Sequence, residues 1–236
     1  MTLQKLILSW AILTFGLMNF TLPLVNVSAQ SANKNQTVAQ KRQRVTFKPP
    51  NRGAPKKRVV ASSRKGCPVI KQSLTALVPA RDVNLTYSEH PTFWFYIPAL
   101  PSQTTIGEFI IQDKQKNDVY RNLLTLPEKE GIIRVNIPTN TQQSLTLNQT
   151  YHWYFKIYCD PQESSVYFFI DGHVERVSPN NYTPENIWFD NLNDLAEKLR
   201  ASPQDPTIRE DWTAFLKDGE LTEFAKEPLL PCCSAQ

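Results

Sequence analysis

Residues 151–159 alternate strictly, with Tyr151, Trp153, Phe155, Ile157 and Cys159 on one parity and His152, Tyr154, Lys156 and Tyr158 on the other. A repeat of two is that of an extended strand whose successive side chains point to opposite faces. The first set is expected to face inward and the second outward, which makes this a half-buried strand of an antiparallel sheet. Similar runs of branched and aromatic residues recur about every ten positions, separated by Pro, Asn, Asp or Gly. They place strands at 73–78, 84–87, 92–97, 105–112, 118–126, 132–137, 151–159 and 165–177. Eight short strands with turn signals between them predict an antiparallel β-sandwich over residues 67–178. The stretch Leu147-Asn148-Gln149-Thr150-Tyr151 has the texture of a tyrosine corner, which points to an immunoglobulin-like sandwich.

The strand at 92–97 is apolar on both faces: Phe93, Phe95 and Ile97 on one, Trp94 and Tyr96 on the other. Something must cover the second face. Pro184 is placed to open a helix that carries Trp188, Leu192, Leu195 and Leu199 at spacings of four, three and four. Asp205-Pro206 opens a second helix with Trp212, Phe215 and Leu216, ending at Gly219, and Leu221 and Phe224 mark a short third turn. Helices this short depend on their apolar stripes being buried. They are expected to dock on the sheet over Trp94 and Tyr96. The fold class is therefore α+β and mainly β, with residues 179–236 forming a helical segment and a Cys-containing tail packed on the sandwich.

Charge is divided unevenly along the chain. The formal net charge is +4 over 236 residues, yet residues 30–66 hold eleven Lys and Arg and no acid. The part after residue 66 holds 14 basic and 22 acidic residues, a net of −8. The basic stretch has almost no large apolar residues and is read as a disordered arm. Its charges include Lys41, Arg42, Arg44, Lys48, Arg52, Lys56, Lys57, Arg58, Arg64 and Lys65. Ahead of it, Lys5, the uncharged run from 6 to 20 and Val27-Ser28-Ala29 have the order of a secretory signal peptide over residues 1–29, cleaved after Ala29. The alternative is an uncleaved membrane anchor. Either way the protein is expected to work outside the cytoplasm, in the periplasm or beyond.

In an oxidising compartment the four cysteines, Cys67, Cys159, Cys232 and Cys233, are disulfide candidates. Four cysteines allow three connectivities. A bond between the adjacent Cys232 and Cys233 would be strained. Cys67–Cys159 is the favoured pair, because it would tie the first strand region to a late one, and the sequence alone does not choose among the three.

Several strings carry a family resemblance: Pro49-Pro50, Arg52-Gly53-Ala54-Pro55, Cys67-Pro68, Glu89-His90-Pro91-Thr92-Phe93-Trp94-Phe95-Tyr96, Tyr151-His152-Trp153-Tyr154-Phe155, Cys159-Asp160-Pro161 and Pro231-Cys232-Cys233. Together they resemble the cyanobacterial proteins known as domain of unknown function 928, from about Pro49 to Cys233. Residues 56–65 keep the positive charge of the corresponding family stretch without its glycines. The resemblance implies an exported cyanobacterial protein and no activity.

Motifs of catalysis are not found. The chain has no Gly-x-Ser-x-Gly elbow, no His-Glu-x-x-His and no phosphate-binding Gly-rich loop. Glu89-His90 and Asp171-Gly172-His173 are the best acid–base pairs. The histidines, His90, His152 and His173, would need Glu89, Asp171 or Glu175 beside them to hold a metal. No cofactor, metal or catalytic residue is assigned. Two binding readings follow. The basic arm would attract anionic polymers, membrane surfaces or the protein's own acidic body, with nucleic acid disfavoured by the export signal. The aromatic set Trp94, Tyr96, Tyr154 and Tyr158 would either recognise an envelope protein or glycan, or be buried by the helices. The expected function is an exported non-enzymatic interaction or scaffold protein of the cell envelope. The alternatives are an envelope hydrolase and a membrane-anchored regulatory ectodomain.

Overall fold

The computed structural model describes residues 43–50, 62–63, 67–70, 72–81, 83–100, 105–140, 142–160, 162–231 and 233–235, with the backbone alone for 62–63 and 234–235. The expected signal peptide, residues 1–29, and most of the expected arm therefore fall outside the described residues, as do Lys41, Arg42, Arg52, Lys56, Lys57, Arg58, Arg64, Lys65 and Cys232. Among the described residues no helix is long and apolar enough to cross a membrane.

Among the described residues ten strands occur: β1 (Ser62–Ser63), β2 (Thr75–Ala76), β3 (Asn84–Thr86), β4 (Thr92–Ile97), β5 (Ile106–Gln112), β6 (Asp118–Thr125), β7 (Gly131–Asn136), β8 (Thr150–Tyr158), β9 (Tyr167–Arg176) and β10 (Ser234–Ala235). Eight of them coincide with the expected runs to within a few residues. The large sheet runs β1-β9-β8-β5-β6-β10, and β3 also pairs with β9; the small sheet runs β2-β4-β7. One pairing departs from the antiparallel expectation, because β3 runs parallel to β9, with Asn84 opposite Val174. No hairpin joins β3 to β9, so nothing obliges the two to run in opposite directions.

The sheets meet through an aromatic core. Phe93 and Phe95 of β4 contact Phe109 of β5 at ring separations of 4.8 and 5.9 Å, and Phe95 stacks on Phe155 of β8 at 4.5 Å. Offset and edge-on arrangements of this kind add to the burial of the rings themselves. The inward set of β8, Tyr151, Trp153, Phe155 and Ile157, is buried. The Thr146 amide donates to the Tyr151 hydroxyl at 2.9 Å, closing the expected corner.

The opposite face of the small sheet is covered by helix α1 (Phe189–Ala201), on which α2 (Pro206–Asp218) packs, and by the short turn Thr222–Phe224. Trp94 and Tyr96 are 1% and 0% exposed. Tyr96 lies 5.0 Å from Phe224, and burial, with the charges of Glu227 and Glu130, pushes its phenol up to about 12. Arg134, opposite Trp94 in the register, pairs with Glu197 of α1 at 2.5 Å. The first helix starts later than Pro184 suggests. Residues Pro184–Asn186 form one 3-10 turn, closed by Thr183 and Asn186, and the chain is extended at Ile187 before α1 begins. In α2 the Asp205 carboxylate accepts from the amides of Thr207 and Ile208, as its position before Pro206 leads one to expect.

The arm reading is corrected at residues 43–50, which lie against the helices. Phe47 is 6% exposed, with its ring 4.9 Å from Trp188 and 6.3 Å from Phe215. Its amide donates to Asp218 at 3.1 Å, the Lys48 amide donates to the Glu185 carbonyl at 2.8 Å, and Asn186 Nδ2 donates to the Lys48 carbonyl at 2.9 Å. Arg44 pairs with Glu210 at 2.5 Å and Lys48 with Glu185 at 3.3 Å. One large aromatic side chain and a set of backbone hydrogen bonds offset the ordering entropy that the surrounding composition leaves uncompensated.

Candidate functional site: the outer face of the large sheet

The register of β8 against β9 sets out a ladder of side chains on the outer face. His152 stands opposite His173, Tyr154 opposite Asp171, Lys156 opposite Phe169, and Tyr158 opposite Tyr167. On the inner face of β9, Gly172 faces Trp153, and a Cβ at that position would come within 2.4 Å of the Trp153 ring. Glycine there lets the indole lie against the backbone while Asp171 and His173 keep their outward parity.

Two polar clusters occupy this face. In the first, His152 Nε2 lies 2.6 Å from Asp171 Oδ2, His152 Nδ1 lies 2.7 Å from the Tyr154 hydroxyl, and the His152 and His173 rings stack at 4.4 Å. A carboxylate only accepts, so Nε2 carries the proton towards Asp171 and Nδ1 accepts from Tyr154. Both imidazole nitrogens are thus engaged within the protein. Burial, and then the charge of Asp171, raise the Tyr154 pKa, so the tyrosine stays a neutral donor. The chain Asp171–His152–Tyr154 orders three side chains into one rigid unit.

The second cluster centres on Glu108, whose side chain is 7% exposed. Its carboxylate accepts from Arg121, from Lys156 Nζ at 3.0 Å and from the Tyr158 hydroxyl at 2.8 Å. Arg121 also holds Asp118 at 2.7 Å. Burial pushes the Glu108 carboxyl up, but the bonds from Lys156, Tyr158 and Arg121 outweigh it and hold the group below the usual range. Burial and the Glu108 bond push Tyr158 up to about 12. Tyr158 and Tyr167 meet edge-on at 6.1 Å, and Lys156 Nζ lies 5.4 Å from the Tyr167 ring centre.

Of the four aromatics grouped in the sequence, Tyr154 and Tyr158 lie half-buried on this face, while Trp94 and Tyr96 belong to the layer beneath the helices. The structure brings His152, Asp171 and His173 together. Glu89 of the Glu89–His90 pair is ion-paired with Arg176 at 2.8 Å. Among the described residues no three His, Cys, Asp or Glu side chains are grouped to hold a metal ion. Cys67 and Cys159 form a disulfide with Cα atoms 5.3 Å apart, fixing the end of β8, and Cys233 packs partly buried against the core. Glu108 and Arg121 were not singled out as site residues. The signal was available, since Glu108 is a lone carboxylate in the otherwise uncharged run Ile106–Gln112.

A comparison with curated proteins finds no match. The model of the family described as Domain of Unknown Function (DUF928) matches residues 58–183 and 180–229, the greater part of the chain, and the protein belongs to that family.

Proposed function

We propose that this protein is an exported, non-enzymatic interaction module of the cell envelope whose outer sheet face binds a glycan. The observation that carries the reading is the pairing of half-exposed phenol rings with hydrogen-bonding groups already locked in place. Tyr154, Tyr158 and Tyr167 are flanked by Asp171, His152, Lys156 and Glu108, which are fixed by their mutual bonds. A sugar offers apolar C–H faces and many hydroxyls, and a rigid face with both ring surfaces and polar groups suits it at little ordering cost. The strand orders, β2-β4-β7 facing β9-β8-β5-β6, support an immunoglobulin-like module, a scaffold widely used for surface recognition. The remaining basic residues of the arm would hold the module to an anionic polymer or membrane surface, with a strength that falls as salt rises.

Binding of the full chain to isolated envelope polysaccharide tests this reading. Tyr154→Ala and Tyr158→Ala are expected to weaken binding at high salt. Replacing Lys56, Lys57, Arg58, Arg64 and Lys65 with Gln is expected to weaken it only at low salt. Charge neutralisation is the appropriate arm variant, because a deletion through residue 50 would also remove Phe47 from the core. Polysaccharide binding that is indifferent to both tyrosines would overturn the glycan reading.

A further inference from the structure

A second site lies away from the sheet face. A cleft of about 850 Å³ opens between the end of α1, the first turns of α2 and residues 225–229. Its volume is that of sites which hold small organic molecules. Leu199 and Trp212 give it apolar surface, and Arg200, Arg209 and Lys226 give it three positive charges against the single carboxylate of Glu227.

The positive groups there are under-used. The carboxylate nearest Arg200 is Glu197 at 3.7 Å, and Glu197 is already committed to Arg134 at 2.5 Å. Arg200 Nη1 is buried and has no hydrogen-bond partner. Trp212 is 1% exposed, and its indole N–H is likewise buried without an acceptor. Buried donors left unsatisfied are uncommon, because each forfeits its bonds to water. Arg209 is oriented by its own bonds, Nε to the Pro203 carbonyl at 2.6 Å and Nη2 to Gln204 at 3.5 Å. Arg200 Nη1 and the Trp212 indole N–H have no acceptor, and Arg209 bonds neutral oxygens, so the cleft carries positive charge that Glu227 and the Glu197 carboxylate at 3.7 Å do not balance.

We infer that this cleft binds an amphipathic organic carboxylate, its charge seated on Arg200 and Arg209 and its apolar body against Trp212 and Leu199. Guanidinium forks match the two oxygens of a carboxylate. The opposing charge of Glu227 favours a monoanion over a doubly charged phosphate. The carboxylate has two sources, a free small acid or the end of a peptide chain, and the cleft has room for either.

Titration calorimetry on the full chain tests the inference, with N-acetyl-L-phenylalanine and Ala-Ala-Phe as probes and the amide of each as control. The acids should bind at least about tenfold more tightly than their amides. Arg209→Gln, at an exposed position, should remove most of that difference with the fold intact, and Arg200→Gln should remove it as well. The Trp212 indole N–H resonance, assigned by its loss in Trp212→Phe, should shift on binding of the acid. Equal affinity of both acids would assign a small-molecule ligand, and an advantage of the peptide a chain end. Equal binding of acid and amide, no binding by either, or tighter binding of inorganic phosphate would each overturn the inference.

Discussion

Phe47→Ala separates two explanations of why residues 43–50 lie on the helices. If charge holds them, the ion pairs of Arg44 and Lys48 carry the attachment. Both partners of Arg44–Glu210 are well exposed, at 46% and 65%, and a surface pair of that kind contributes at most about 1 kcal/mol. If burial holds them, Phe47 dominates. Removing a buried Phe side chain costs about 3–5 kcal/mol where the surroundings cannot relax. Here the segment can detach, so the loss is capped at its docking free energy plus the exposure of the stacked Trp188–Phe215 pair, whose rings lie 4.6 Å apart. We therefore expect Phe47→Ala to lose about 3 kcal/mol, at the low end of that range. Arg44→Ala should lose less than about 1 kcal/mol. For a folded body of this size the first change corresponds to a fall of roughly 6–12 °C in Tm. Urea unfolding followed by tryptophan emission measures both, read as midpoint shifts at constant slope. A Phe47→Ala loss below about 0.5 kcal/mol, or an Arg44→Ala loss equal to it, would refute anchoring by burial.

Three further outcomes follow from the packing and charge arrangement. Gly172→Ala puts a methyl 2.4 Å from the Trp153 ring and should cost about 1–3 kcal/mol, with altered Trp153 emission as the accompanying sign. Glu108 has its folded pKa lowered, so its contribution is present above the unfolded carboxylate pKa and is lost as pH falls through the lower folded value. Stability measured across that acid window should fall in the wild type and fall less in Glu108→Gln, which should itself lose about 1–3 kcal/mol at neutral pH. Opening the Cys67–Cys159 bond, which spans 92 residues of sequence, should lower stability by about 4–5 kcal/mol, as measured by denaturation of Cys67→Ser/Cys159→Ser against the oxidised protein.

Strand positions were legible in the sequence because each strand carries its own evidence. The parity of residues 151–159 sorts Trp153 from Tyr154 without reference to any partner, and burial follows that parity along the whole strand. The covering of Trp94 and Tyr96 was legible for the same reason: a two-sided apolar strand and two amphipathic helices each lack something that the other supplies. The composition of the arm misled because it averages over a long segment. A run of cations dilutes Phe47, yet one aromatic ring with three backbone-level hydrogen bonds beside it suffices to order the eight residues 43–50.

The outer-face site was only half legible, and the missing half is register. Parity places His152, Tyr154, Asp171 and His173 on outward positions, but whether they touch depends on which residue of β9 stands opposite which residue of β8. A slip of one residue would turn Asp171 inward, and a slip of two would set it opposite His152 or Lys156 in place of Tyr154. The fit of Trp153 over Gly172 opposes both slips, since any side chain at that place would meet the indole ring. The inner face thereby sets the chemistry of the outer one. The same constraint separates this site from the cleft at α2, whose charges lie on the helical layer, so substitutions on the sheet face should leave carboxylate binding at Arg209 unchanged.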